Sequence, residues 1–281
     1  MEKYIDLHTH STFSDGTLTP TELIALAKKQ NLSAIALTDH DTIDGLSEAF
    51  EAGKKLHMNV IAGIELAALY DKYEKTEIHI VGLGIDFQSS ELKKQLKTMQ
   101  NARTERNIQM LQKLTDLGFS MTYDELKQTA GGEIITRAHY AKLMQEKGYI
   151  KERTEAFQKY ISPGLPCYVE RKFLTPRLCI ETILKAGGKA ILAHPTLYHM
   201  NANQIEQLCK ELITYGLNGI ETMYSSYSFE QQIQIKKIAD KLHLDYSGGS
   251  DFHGQNKLDI FLGVGKGNLK IPYAYLEKLC L

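Results

Sequence analysis

The chain has 281 residues, 43% hydrophobic and 24% charged, an ordinary globular balance that excludes a disordered chain, a collagen-like repeat and a disulfide mini-scaffold. No run approaches the roughly 18 consecutive apolar residues of a membrane span, and the N-terminus lacks the basic-then-apolar order of a signal peptide, so a cytoplasmic protein without membrane contact is expected. Total charge is near balance, 33 Lys and Arg against 34 Asp and Glu, but residues 91–185 carry 17 basic against 11 acidic residues. All six arginines (Arg103, Arg106, Arg137, Arg153, Arg171, Arg177) lie there, which makes this segment the place to look for a grip on phosphate or carboxylate. Cys167, Cys179, Cys209 and Cys280 are scattered without CxxC spacing, which suits reduced thiols and removes zinc-finger readings.

Seven short runs rich in β-branched and apolar residues read as buried parallel strands: about 3–7, 33–38, 59–66, 77–84, 188–193, 217–223 and 244–249. Helices separate most of them. Thr19-Pro20-x-Glu22 is a capping box opening a helix to about Gln30, and Asp44 opens another to about Leu56. Between the fourth and fifth strands the rhythm breaks and turns helical: one helix from Ser90 toward Gly118, a shorter one after Thr122-x-x-Glu125, a third from Thr136 to Gly148, and a return helix at Thr175-Pro176. This reads as a mostly helical domain, 91–185, inserted into a core formed by 1–90 and 186–281. Crossovers from Asn203 to Tyr215 and from Ser228 to His243 complete an alternating β/α pattern.

The strongest signal is where histidines and acids fall. His8 and His10, two apart at a strand end, aim both imidazoles to one face. Asp15 follows in a polar turn, then Thr38-Asp39-His40-Asp41, Gly63-Ile64-Glu65, His79, Ala193-His194-Pro195 and Ser250-Asp251-Phe252-His253, nearly all at strand ends. Carboxyl ends of parallel strands converge on one rim, and six of the ten histidines sit on or beside it. Divalent cations would neutralise a cluster that is otherwise costly to bury. Asp39 and Asp41 are expected to orient His40, while His57, His199 and His243 lack rim positions and read as structural or surface residues.

These motifs, in this order, resemble the PHP (polymerase and histidinol phosphatase) metallohydrolases, over roughly 1–90 and 186–260. The helical insertion is most similar to the branch of nucleoside 3′,5′-bisphosphate phosphatases and 5′ to 3′ exoribonucleases. The resemblance implies an α/β fold, a distorted (β/α)7 barrel, and two to three divalent metals, Mn before Fe or Zn. It implies that His8, His10, Glu65 and Asp251 hold one ion, Glu65, His79 and His194 a second, and Asp15, His40 and His253 a third. Asp15, His40, His194 and His253 are the expected catalytic residues. The imidazole and carboxylate set, without thiolate, fits Mn, Fe or Zn better than Cu(I) or Ca.

In the insert, Leu92, Leu96, Met99, Arg103, Arg106 and Met110 form one helical stripe, so two arginines occupy a stripe that begins as core. Either they end in water, or the stripe overhangs the metal rim and they face a substrate phosphate; the family's basic motif favours the second. Arg137 and His139 fall in a first helical turn, where a second phosphate could sit or His139 could serve the cap. Ser225 offers a rim hydroxyl, and Arg171 with Lys172 lies near the returning strand. The expected activity is metal-assisted hydrolysis of nucleoside 3′,5′-bisphosphates and trimming of short, single-stranded 5′-phosphorylated oligonucleotides. Rival readings are a histidinol-phosphate phosphatase, a C–N hydrolase of amidohydrolase type and a structural metal-bound module; the arginine-bearing insert weighs against the first two. The apolar tail Tyr273–Leu281 packs on the barrel or on a partner.

Overall fold

The computed structural model describes residues 2–73, 76–131, 134–170 and 174–281. Among them eight strands form one sheet: β1 (Tyr4–Asp6), β2 (Ala34–Leu37), β3 (Asn59–Tyr70), β4 (Thr76–Leu83), β5 (Lys189–Leu192), β6 (Gly219–Tyr224), β7 (Asp245–Gly249) and β8 (Ile271–Pro272), in the order β7-β6-β5-β4-β3-β2-β1-β8. Beyond β1 and β7 the sheet curls back on itself. Leu7 N–H donates to Gly248 C=O at 3.2 Å, Asp251 N–H donates to His8 C=O at 2.8 Å, and Thr9 bridges Phe252 in parallel. The product is a nearly closed, distorted α/β barrel. The seam demands glycine: a Cβ on Gly249 would lie 2.2 Å from His8 Cβ. Gly249→Ala should therefore push β7 off β1 and lower stability by about 1–3 kcal/mol, the scale of overpacking a core, read as a lower Tm.

Among the described residues ten α-helices surround and extend the sheet: α1 (Pro20–Lys29), α2 (Leu46–Leu56), α3 (Ser90–Asp116), α4 (Tyr123–Ala130), α5 (Arg137–Glu146), α6 (Arg153–Ala156), α7 (Pro176–Lys185), α8 (Ala202–Thr214), α9 (Phe229–Leu242) and α10 (Ala274–Lys278). Sequence caps act where they were expected at Thr19, Thr122, Thr175 and Ser228, whose hydroxyls each accept an N–H of the first turn. Three starts differ. Gly45, not Asp44, precedes α2, because the Asp44 carboxylate accepts the Thr42 hydroxyl at 2.9 Å. Ser89 caps α3 by accepting Leu92 N–H, and Asn201 caps α8.

The strand orientations depart from an all-parallel reading. β4 runs antiparallel to both β3 and β5, and β8, which no sequence run announced, runs antiparallel to β1. The C-terminal tail packs on the barrel: Tyr275, Leu276 and Leu279 share a buried cluster with Ile5, Ala34, Ile61, Val81 and Ile191 from five strands. A second, larger core joins the other strand faces to the surrounding helices, and it takes in Leu92, Leu96 and Met99 of α3 and Cys179, Ile180 and Ile183 of α7. The insert has its own core, from Met110 and Leu114 through Leu126, Tyr140 and Met144 to Cys167. α3 is thus shared: its first half belongs to the barrel core, its second to the insert. No described helix is long and apolar enough to cross a membrane.

Candidate metal centre and substrate pocket

The antiparallel course of β4 decides who reaches the rim. Parallel strands deliver their last residues there, but β4 delivers its first, so Glu77 and His79 arrive beside the ends of β2, β3 and β5. Ala67 pairs with His79 and Glu65 with Val81, which puts Glu65, His79 and Val81 on one face by the two-residue strand period. Past the end of β2, His40 bridges Glu65 in parallel. His194 follows β5, and Asp251 and His253 follow β7. His194 and Asp251 have φ of 27° and 56°, left-handed values that L residues adopt at a cost and that cluster at working sites.

Glu65 is the hub. Its Oε2 lies 3.2 Å from Nε2 of both His8 and His10 and 3.0 Å from Nδ1 of His40, and its Oε1 lies 2.7 Å from His79 Nδ1 and 3.0 Å from His194 Nε2. On one side Asp251 Oδ1 sits 3.2 Å from His10 Nε2; on the other Asp15 Oδ1 sits 3.1 Å from His253 Nε2 and 3.8 Å from His40 Nε2. Four overlapping sets bring ligand atoms within 4.8 Å of one another: His10, Asp15, His40 and His253; His8, Glu65 and His194; His8, His10 and Asp251; His40, Glu65 and His79. All nine expected ligand residues are therefore in one cluster, grouped somewhat differently from the family pattern.

Burial works against charge on each member, and the members answer it together. Burial alone would raise Asp15, Glu65 and Asp251, but His40 and His253 beside Asp15, His8 and His40 beside Glu65, and Lys257 beside Asp251 hold all three well below the usual carboxylate range. Burial likewise opposes charging His10 and His79, yet Asp251 and Glu65 lift His10 to about 9, and Glu65 with Glu77 lifts His79 to about 10. At His40 burial prevails and pushes it down to about 3. Glu65 Oε2 and Asp15 Oδ1 are buried yet make no directed hydrogen bond among the described residues, although imidazole nitrogens surround them. Imidazole nitrogens and carboxylate oxygens that converge on common points fit divalent cations, and this donor set fits Mn, Fe or Zn.

Several supporting residues carry no motif. Glu221 Oε1 lies 2.8 Å from His8 Nδ1 and its Oε2 accepts the His194 N–H at 2.7 Å, so one buried carboxylate on β6 orients two ligands. Tyr224 donates to Asp251 Oδ2 at 2.6 Å, and Lys257 donates to the same oxygen. Asp6 accepts the N–H and hydroxyl of Ser250, fastening the turn that bears Asp251. The expectation that Asp39 and Asp41 orient His40 needs correction. Asp39 accepts Ser11 and Ser14 hydroxyls at 2.6 and 2.5 Å, holding the turn before Asp15, and Asp41 pairs with Arg103. His57, His199 and His243 each close a helical turn in the left-handed conformation, away from the rim.

A pocket of about 200 Å³ opens over the cluster, lined by Asp15, His40 and His79 below and by Arg103, Arg106 and Arg137 of the insert above, with Tyr168 and Phe157 at the side. Arg103 and Arg106 are 8% and 6% exposed, so the stripe ends in the pocket rather than in water. Arg137 lies 5.8 Å from the Tyr168 ring and reaches Glu77 at 3.5 Å. Arg153 bonds Asn256, whose amide donates to Asp15 C=O, tying the insert to the rim, and Arg177 pairs with Glu181. Two sequence-picked residues have other duties. His139 Nδ1 accepts Thr136 N–H at 3.1 Å, completing a capping box, and the ring is not among those lining the pocket. Ser225 is buried and donates to Ser250 C=O at 2.6 Å, because the β6–β7 turns need that carbonyl satisfied. Arg171 and Lys172 lie outside the described residues.

Residues 6–210 match the family model of the PHP domain. A 5′-3′ exoribonuclease of Haemophilus influenzae is 36% identical over 90% of this chain and 91% of its own length. A 3′,5′-nucleoside bisphosphate phosphatase of Chromobacterium violaceum is 36% identical over 89% of this chain and 87% of its own. Among solved structures, one described as an amidohydrolase from Chromobacterium violaceum, with bound sulfate, superposes with a TM-score of 0.88 at 34% identity, covering 98% of this chain and 95% of that one. Another, provisionally assigned as a metal-dependent phosphoesterase from Bifidobacterium adolescentis, gives 0.86 at 27% identity over 99% and 95%. With the motifs, the barrel and the clustered ligands in agreement, the chain belongs to the PHP domain family.

Proposed function

We propose that the chain is a metal-dependent phosphoester hydrolase that converts nucleoside 3′,5′-bisphosphates to 5′-monophosphates and trims short 5′-phosphorylated oligonucleotides from the 5′ end. The observation that carries this reading is the shared pocket: candidate metal ligands on one wall and three arginines on the other face the same space. A reacting phosphate would sit at the cluster and a second phosphate in the guanidinium forks. The relatives' names and the sulfate bound in the Chromobacterium violaceum structure point the same way. Hydrolysis of an amide, by contrast, needs no clustered arginines.

His8, His10, Asp15, His40, Glu65, His79, His194, Asp251 and His253 would hold two to three divalent ions, Mn by preference. When bound, such ions polarise the phosphoryl oxygens and ionise water near neutral pH. Asp15, His40, His194 and His253 would border the reacting phosphate; Asp15 and His40 line the pocket. Glu221 and Tyr224 keep ligands in place, while Arg103, Arg106 and Arg137 orient the substrate. Tyr168 and Phe157 supply an apolar wall against which a base or ribose can rest.

Mass analysis of products tests the assignment. Adenosine 3′,5′-bisphosphate should yield AMP and phosphate, and a short 5′-phosphorylated RNA should yield mononucleotides, with Asp15→Ala inactive on both. Silence of the Mn-loaded protein on both substrates, with metal verified as bound, would sink the nucleotide reading.

A further inference from the structure

Lys257 lies outside every motif that marks the centre, yet its ammonium bonds a candidate metal ligand. We infer that Lys257 is a positioning residue that confines Asp251 to one metal-facing oxygen and, by its charge, weakens and selects the cation bound there; this rests on the reading that the cluster holds metal. The two oxygens of Asp251 have divided roles. Oδ2 accepts both the Tyr224 hydroxyl and the Lys257 ammonium, whereas Oδ1 faces His10 Nε2 at 3.2 Å, His253 Nδ1 at 3.4 Å and His8 Nε2 at 3.7 Å. A carboxylate with one oxygen so engaged can offer a cation only the other.

The lysine is placed by the fold. It ends a short 3-10 turn, Gly254–Asn256, that is clamped to the Asp15 turn at three points. Gln255 N–H donates to Thr17 Oγ1 at 2.9 Å, Asn256 Nδ2 donates to Asp15 C=O at 2.8 Å, and Gly254, at φ 61°, has Thr17 Oγ1 where a Cβ would stand. The side chain is 35% exposed, so it enters the centre from its edge, with its stem toward solvent and its head on Asp251.

Two consequences act in the same direction. A fixed positive charge beside a ligand carboxylate repels an incoming cation, and holding Asp251 to one oxygen denies Ca²⁺ the two-oxygen grip that large oxygen-seeking ions exploit. Replacing Lys257 by the uncharged, similarly long methionine should therefore tighten Mn²⁺ binding by about threefold to tenfold and tighten Ca²⁺ by more, lowering the preference for Mn²⁺. Lys257→Arg should keep the affinities near those of the parent.

The experiment is equilibrium competition of Mn²⁺ and Ca²⁺ against a chromogenic chelator, on metal-stripped parent, Lys257→Met and Lys257→Arg proteins whose melting curves show them folded. Tighter binding and a shift toward Ca²⁺ in Lys257→Met, reversed in Lys257→Arg, supports the inference. Unchanged or weaker binding in a folded Lys257→Met protein overturns it while the metal reading stands. Should Lys257→Met not fold, Tyr224→Phe supplies the second test: relieving the same Oδ2 of one of its two donors must also raise relative Ca²⁺ affinity, and no change overturns the one-oxygen argument. If the parent itself binds neither ion, the underlying metal reading fails instead.

Discussion

Glu65→Gln is expected to lower phosphoester hydrolysis by about 10³-fold or more, the cost of losing several kcal/mol of charge stabilisation at the reacting centre. The reason is geometric. Glu65 is 1% exposed and, alone among the carboxylates of the described residues, touches five imidazoles, those of His8, His10, His40, His79 and His194, and it belongs to two of the four ligand sets. Glutamine preserves the shape but removes the negative charge and one of two equivalent acceptors. Bound metal, measured by elemental analysis of the dialysed protein, should fall. A metal at 100 times its Kd stabilises the folded chain by about 2.7 kcal/mol, so chelation should lower the parent's Tm, and Glu65→Gln should lose most of that difference. Full metal content with unimpaired turnover in Glu65→Gln would contradict the centre described above.

The centre was readable in the sequence because its ligands sit in short motifs tied to strand ends, where direction and period fix where a side chain points. His8 with His10, and Asp251 with His253, need only that rule. His79 did not follow from it. It is counted with the rim residues, yet as the third residue of a strand read as parallel it would lie at the far end of the barrel, and only the antiparallel course of β4 brings it to the rim. Strand direction is a tertiary property: the β3–β4 connection is short enough for a hairpin, but hydrophobic runs look alike in either direction. The residues with no motif at all are those that act through others. Glu221, Tyr224 and Lys257 lie within ordinary segments, and their importance comes from neighbours as far as 213 residues away in the chain.

Helix boundaries were readable to within a residue or two wherever a hydroxyl cap preceded a helix, since capping is local chemistry. β8 escaped notice because two residues, Ile271 and Pro272, carry no period; they pair only because α10 closes over the inner core behind them. His139 and Ser225 show the converse limit. Composition placed each near the rim, but a backbone group needing a partner claimed each side chain first, Thr136 N–H for one and Ser250 C=O for the other. Polar residues at a rim serve the backbone before they serve a ligand, and a sequence does not show which demand is nearer.

For the arginine pair that demand works out differently, and it sets the second large effect. Arg103 and Arg106 are buried in the pocket wall, one turn apart on α3, where the helix leaves the barrel core. Each hydrogen bond from a guanidinium to a phosphate contributes about 1.5–3 kcal/mol, so Arg103→Ala with Arg106→Ala should lower kcat/KM on adenosine 3′,5′-bisphosphate by about 10³-fold, with the single changes not adding because the sites adjoin. If the phosphate they hold is not the one cleaved, as proposed, the loss should fall on KM more than on kcat. A small phosphomonoester with one phosphate should be cleaved nearly as well by the double variant as by the parent. Arg103 also pairs with buried Asp41, so part of its alanine effect will be on stability, and a lysine at either position keeps charge but not the two-pronged grip. Equal losses on one-phosphate and two-phosphate substrates would mean that the arginines serve the reacting centre itself. No loss on either would remove them from substrate binding while leaving the metal centre intact.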